Sequence, residues 1–187
     1  MILKELSLAG VFEIQLKALE DPRGFFMRTY DDQIFRDHGL PTNWVQENHS
    51  LNIDKWTVRG LHFQFPPYTE GKLIRVIRGE VFDVFVDIRQ NSPSFGKWGS
   101  VILSEAKKSM LFIPRGFAHG YCTLKENCEL EYKMDNYYSP KYASIIFWND
   151  PLLAIKWPLS HLPIISERDS QAQRLQEFID LYGGLEV

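Results

Sequence analysis

Along the middle of the chain, apolar residues come in short bursts separated by turn-forming clusters. Segments 43–51, 57–65, 73–78, 80–88, 98–103, 110–113, 117–124 and 128–134 are rich in Val, Ile, Phe, Tyr and Leu. Between them lie PPYTEG, NSPSFG, PRG and the dipeptide RG. Short strands at regular spacing predict a sandwich or barrel. Arg78-Gly79 is placed to turn a hairpin between LIRVI and EVFDVFVDI. Helical signals are confined to two places. Asp31 is positioned to cap a short helix through Phe35 that ends near Gly39. In ERDSQAQRLQEFIDLYGG, residues Ala172, Leu175, Phe178, Ile179 and Tyr182 recur at helical spacing, and Gly183-Gly184 stops the run. The prediction is one domain over residues 1–187: an all-β core with small helices at its ends, the C-terminal one lying over one end of the β-structure.

Strand parity assigns side chains to faces, because successive residues point to opposite sides. In LHFQF, His62 and Gln64 point one way and Leu61, Phe63 and Phe65 the other. In CELEYKM, Leu130, Tyr132 and Met134 share the apolar face, and the Tyr132 hydroxyl there needs a partner. Lys72 shares a face with Ile74 and Val76, His119 with Tyr121 and Thr123, and Gln46 with Asn48 and Ser50. Asp83 lies within VFDVFVDI, an unusually apolar setting for a carboxylate. An inward His, Lys and Tyr from separate strands could converge on one small ligand inside a barrel. Each residue also has a plain structural reading: His62 and Tyr132 as satisfied core groups, Lys72 as a surface lysine, Asp83 bonded to nearby backbone, Arg23-Gly24 and Gly116 as turn residues.

Composition narrows the function. The chain has 187 residues and a formal net charge of −3, which argues against broad binding of nucleic acid or anionic membranes. Aromatic residues reach 14%, enough to furnish both strands and a pocket lining. Cys122 and Cys128 fit neither a disulfide framework nor a zinc spacing and read as reduced thiols of a cytoplasmic protein. MILKELSLAG has no apolar core of the secretory type, and no run approaches the ~20 apolar residues of a membrane helix.

Many ordered motifs resemble one family. They are DPRGFF at 21–26, QENHS at 46–50, RGLHFQ at 59–64, KLIRVIRGEVFDVFVDIR at 72–89, SPSFGKW at 92–98, IPRGFAHGY at 113–121, EYK at 131–133, WNDP at 148–151, IKWP at 155–158 and SERD at 166–169. With them the chain resembles the dTDP-4-dehydrorhamnose 3,5-epimerases over nearly its whole length. The resemblance implies a cupin-type jelly roll, a homodimer, a nucleotide-sugar substrate, and neither metal nor organic cofactor. The implied reaction inverts C3 and C5 of a nucleotide-linked 4-keto-6-deoxy sugar. By the same resemblance His62 is the general base with Asp169 paired to it, Tyr132 is the general acid, and Lys72 stabilises the enolate. Arg59, His119, Gln46 and Asn48 contact the substrate, and Arg23 helps to hold the diphosphate, reaching a neighbouring subunit's site. Three positions depart from the family pattern: Arg28 and Ala143 where acidic residues are common, and Arg168 where Lys is usual. Arg28 and Arg168 remain candidate substrate contacts, with nucleotide and sugar identity the property most exposed to these changes.

Three rivals remain. One is an epimerase acting at C3 or C5 alone, or on a CDP-, GDP- or UDP-linked sugar. Another is a metal-dependent cupin. His62-Phe63-Gln64 lacks the second histidine such sites use, and Gln is a poor ligand for zinc or iron. The third is a sugar-binding module without catalysis, for which both an acid and a base candidate would be superfluous. Arg59 and His62 have opposite parity in a regular strand, so a shared site requires a bulge at Gly60.

Overall fold

The computed structural model describes all 187 residues. Its strands are β1 (Ile2–Glu5), β2 (Phe12–Gln15), β3 (Ala18–Asp21), β4 (Gly24–Met27), β5 (Gln46–Asn52), β6 (Val58–Gln64), β7 (Lys72–Arg78), β8 (Glu80–Asp87), β9 (Trp98–Ser104), β10 (Ser109–Ile113), β11 (Phe117–Thr123), β12 (Cys128–Met134) and β13 (Ala143–Ile145). Three short helices accompany them: α1 (Asp32–Asp37), α2 (Glu167–Ser170) and α3 (Leu175–Tyr182). The strands form a six-stranded sheet in the order β1-β2-β10-β7-β12-β5 and a five-stranded sheet in the order β13-β6-β11-β8-β9. All the pairings between these strands are antiparallel. This is a jelly roll, in which strands distant in sequence become neighbours and two sheets face each other. β3 and β4 form a separate hairpin.

Three apolar clusters account for the near-continuous hydrophobicity of the central strands. Between the sheets, Ile74, Val76, Val81, Phe85, Leu103, Leu111, Tyr121 and Leu130 pack together. On the outer face of the five-stranded sheet, Leu61, Phe63, Val84, Val86 and Ala118 are covered by Ile146, Leu153, Ile155, Leu175 and Phe178. On the outer face of the six-stranded sheet, Ile14, Leu73, Met110 and Phe112 are covered by Phe35 and Leu40. Strands buried on both faces lose the clean apolar–polar alternation of half-exposed ones, which is why β8 and β11 read as continuous runs.

The N-terminal strands β1 to β4 and the short β13 were not among the predicted segments. The predicted C-terminal helix is also corrected. It divides into α2 and α3, with Gln171 closing the first and Arg174 opening the second. Between them the Gln173 backbone leaves helical pairing and accepts from Phe147 N–H at 2.8 Å. The Asp150 carboxylate then accepts the Leu175 N–H at 2.9 Å, satisfying one of the free donors at the start of α3. α3 covers the outer face of the five-stranded sheet through Leu175 and Phe178, not an end of the β-structure. Asp31 caps α1, accepting from Ile34 N–H, as its position in the sequence predicts.

Candidate active site

A cavity of about 340 Å³ opens between the two sheets. β6 supplies its first wall. Opposite β11, His62 pairs with His119 and Arg59 with Tyr121, so three residue steps on β6 span two on β11. This bulge turns Arg59 and His62 to the same cavity, where both line the wall. Gly60 makes it possible: its φ is +131°, and a Cβ there would lie 2.6 Å from Gly120 Cα.

Asp169 reaches His62 from the far end of the chain. Ser166 caps α2 by accepting the Asp169 N–H at 3.1 Å. The Asp169 carboxylate is buried, accepting from His62 Nε2 at 2.9 Å and from Gly60 N–H at 3.0 Å. Burial alone would raise this carboxyl; the His62 ring, the Gly60 amide and Arg168 outweigh that and hold it below the usual carboxylate range. For His62, loss of hydration pushes the pKa below 6.5 against the pull of Asp169, and nearby Lys72 and His119 push the same way. Its side chain remains 41% exposed.

The opposite sheet contributes Tyr132, Lys72, Gln46 and Asn48. Tyr132 on β12 lies in register with Asn48 on β5 and Ile74 on β7. Burial, with Tyr121 adding to it and Arg59 opposing, raises the Tyr132 pKa above 10, and the phenol stays protonated. The partner its hydroxyl was expected to need is not found within the chain; the side chain lines the cavity instead. Lys72 is buried at the start of β7, 3.3 Å from Glu70 Oε1, and donates to the His62 carbonyl across the sheets at 3.4 Å. His119 donates from Nε2 to the fully buried Asp83 carboxylate at 2.9 Å. Asp83 thus has a side-chain partner, where its sequence context suggested only a turn or backbone bond. Burial raises the Asp83 carboxyl, with His119 and Lys72 opposing.

Of the candidates, His62, Tyr132, Lys72, Gln46, Asn48, Arg59, His119 and Arg168 all line this cavity, and Asp169 stands behind His62. Arg23 and Arg28 do not. Arg23 sits at the turn of the β3–β4 hairpin, 89% exposed and paired with Asp21 at 2.5 Å. Arg28 pairs with Asp31 at 2.6 Å, away from the cavity. Ala143 and Ser144 complete the wall beside Arg168. Several lining or supporting residues were not singled out from sequence. Asn52 Oδ1 accepts from Arg59 Nε at 2.7 Å and from the Tyr121 hydroxyl at 3.3 Å. Gln46 Oε1 accepts the Tyr138 N–H, drawing that segment over the cavity. Gln64 was flagged by its parity with His62; Glu70, in a loop, carried no parity signal. No three His, Cys, Asp or Glu side chains gather as a metal-binding cluster.

The fold and the cavity together define a jelly-roll protein with an internal small-ligand site bearing a histidine–aspartate pair and several cations. The family model described as dTDP-4-dehydrorhamnose 3,5-epimerase matches residues 5–177. The chain is 46% identical over 178 residues to the dTDP-4-dehydrorhamnose 3,5-epimerase of Salmonella typhimurium, covering 95% of this chain and 97% of that one. A Neisseria gonorrhoeae relative described in the same way is 45% identical over 165 residues, and the chain spans only 50% of its length. Among solved structures, the Legionella pneumophila 3,5-epimerase in complex with dTDP-4-keto-L-rhamnose superposes with a TM-score of 0.93 at 38% identity, covering 100% of this chain and 98% of that one. The chain belongs to the dTDP-4-dehydrorhamnose 3,5-epimerase family, and its enzyme class is isomerase.

Proposed function

We propose that the chain inverts C3 and C5 of dTDP-4-dehydro-6-deoxy-D-glucose, giving dTDP-4-dehydro-L-rhamnose. One observation carries this reading: His62 and Tyr132 line one cavity from facing sheets, on β6 and β12. The C4 ketone acidifies the hydrogens on both neighbouring carbons. A base on one side of the ring removes a proton to give an enolate. An acid on the other side returns one to the opposite face, which inverts the carbon. Family membership supplies the substrate class.

In this reading the ionised Asp169 takes the Nε2–H of His62 as hydrogen-bond acceptor, leaving Nδ1 as the basic nitrogen and stabilising the imidazolium once the proton arrives. The lowered His62 pKa keeps the base free near neutrality, and the raised Tyr132 pKa keeps the acid loaded. Lys72 places positive charge where the enolate oxygen develops, a contribution of about 3–4 kcal/mol for a well-aligned donor. Arg59 and Arg168 take the diphosphate through planar paired donors, with Gln46, Asn48 and His119 bonding the remaining polar groups. These steps move protons only and call on no cofactor.

We assign one domain to residues 1–187 and a homodimer as the working assembly. The β3–β4 hairpin leaves Leu19, Phe25 and Phe26 exposed, with Arg23 at its turn, so the hairpin is suited to pack against a second copy. Arg23 and Arg28 then serve a partner's cavity. No helix is long and apolar enough to cross a membrane, and the buried free thiols Cys122 and Cys128 suit a reducing cytoplasm. Incubating the purified chain with the dTDP-sugar and following product configuration by proton NMR tests the reaction. Appearance of the L-rhamno isomer supports it, and an unchanged D-gluco sugar excludes it. CDP-, GDP- and UDP-linked 4-keto sugars run in parallel show whether Arg28, Ala143 and Arg168 redirect nucleotide choice.

A further inference from the structure

Among the residues lining the cavity, Glu70 is the one acidic side chain, in a lining that also holds Arg59, Lys72 and Arg168. It is also buried, with 6% of its side chain exposed. A buried carboxylate in a pocket meant for a diphosphate is electrostatically costly for the substrate unless it has a task. Its neighbours fix it firmly. Oε2 accepts from Gln64 Nε2 at 2.8 Å. Gln64 is itself pinned, donating to the Tyr68 carbonyl at 2.9 Å and accepting the Ser139 N–H at 2.6 Å. The following residue is held as well, Gly71 N–H donating to Asp135 at 2.7 Å. The remaining oxygen, Oε1, faces Lys72 Nζ at 3.3 Å.

We infer that Glu70 is a positioning residue for Lys72, holding its ammonium at the sugar end of the cavity and cancelling its attraction for phosphate. The inference rests on the reading of Lys72 as the enolate-stabilising cation. A lysine ammonium on a four-carbon stem is mobile and draws any phosphate oxygen within reach. Paired with a fixed carboxylate, it keeps donors for a ketone oxygen while its net pull on a dianion falls. Arg59 and Arg168, which have no acidic partner lining the cavity, are left to take the diphosphate. The pocket is thereby divided into a phosphate end and a neutral sugar end.

Glu70→Gln tests this, because it keeps one oxygen for Gln64 while it removes the charge and turns an amide NH2 in place of an acceptor toward Lys72. The expected result is a kcat about tenfold lower, from a mispositioned donor, and competitive inhibition by inorganic phosphate strengthened about fivefold or more, from an uncompensated cation. Wild-type kcat with wild-type phosphate sensitivity overturns the inference. So does a lower kcat accompanied by a fall in melting temperature and unchanged phosphate sensitivity, since that describes a scaffold residue. If Glu70→Gln does not fold, Glu70→Asp carries the test: the shortened carboxylate keeps its charge but withdraws from Lys72, and kcat falls about threefold. Wild-type kcat in that variant overturns the inference equally. Lys72→Met, assayed alongside, separates the two levels. Wild-type turnover there removes the reading of Lys72 itself; lost turnover there with a silent Glu70→Gln removes only the role of Glu70.

Discussion

At the scale of single residues, His62 has one nitrogen committed to Asp169, and Tyr132 has a hydroxyl that no group of the chain engages. His62→Ala and Tyr132→Phe are each expected to lower turnover by about 10³-fold, the scale of general acid–base catalysis. Folding should be largely retained, because both side chains line a cavity. Steady-state rates beside thermal melts check this, and wild-type rates in both would remove the assignment. The pH profile follows from the direction of the His62 shift. The working form of a base is the neutral ring, so kcat/KM falls as pH drops through its pKa, and that pKa lies below the ordinary value of 6.5. The acid limb is therefore expected below pH 6.5. A limb at or above pH 6.5 contradicts the geometry around His62.

At the scale of elements, the decisive device is the β6 bulge. Gly60→Ala must place a Cβ against Gly120 at an unfavourable φ. Backbone strain of this kind costs about 1–3 kcal/mol, and relieving it would part β6 from β11 and swing Arg59 or His62 out of line. A lower urea midpoint together with weakened turnover is the expected outcome. Gly60 and the opposite parity of Arg59 and His62 were legible in the sequence; so were the central strands and the faces of Gln46, Lys72, His119 and Tyr132. β1 to β4 were not, because ILKE, FEIQ, ALED and GFFM are too short and too mixed for alternation to register. Helical spacing from Ala172 to Tyr182 concealed the break at Gln173, which is made by a distant backbone partner, Phe147. Convergence of the site was beyond periodicity as well. It depends on a strand order that sets β12 between β7 and β5, and on Asp169 arriving from 107 residues away. Family resemblance supplied that pairing.

At the scale of the whole molecule, the two sheets are opposed walls, one carrying His62 and the other Tyr132, the proposed proton-transfer pair, and apolar layers pack against the outer face of each. The β3–β4 hairpin is the part least accounted for by one copy, with Phe26 71% exposed. Light scattering is expected to give twice the 21.9 kDa chain mass. Phe25→Asp combined with Phe26→Asp should shift the protein toward the monomer and weaken nucleotide binding; a monomeric wild-type chain with full activity would remove the proposed assembly. The central claim, that acid and base flank one sugar and exchange its carbon-bound hydrogens with solvent, is tested most directly in heavy water. Turnover of dTDP-4-dehydro-6-deoxy-D-glucose there is predicted to place deuterium at both C3 and C5 of the product, and His62→Ala should abolish the labelling. Product free of deuterium, or labelled at one carbon only, would contradict the account.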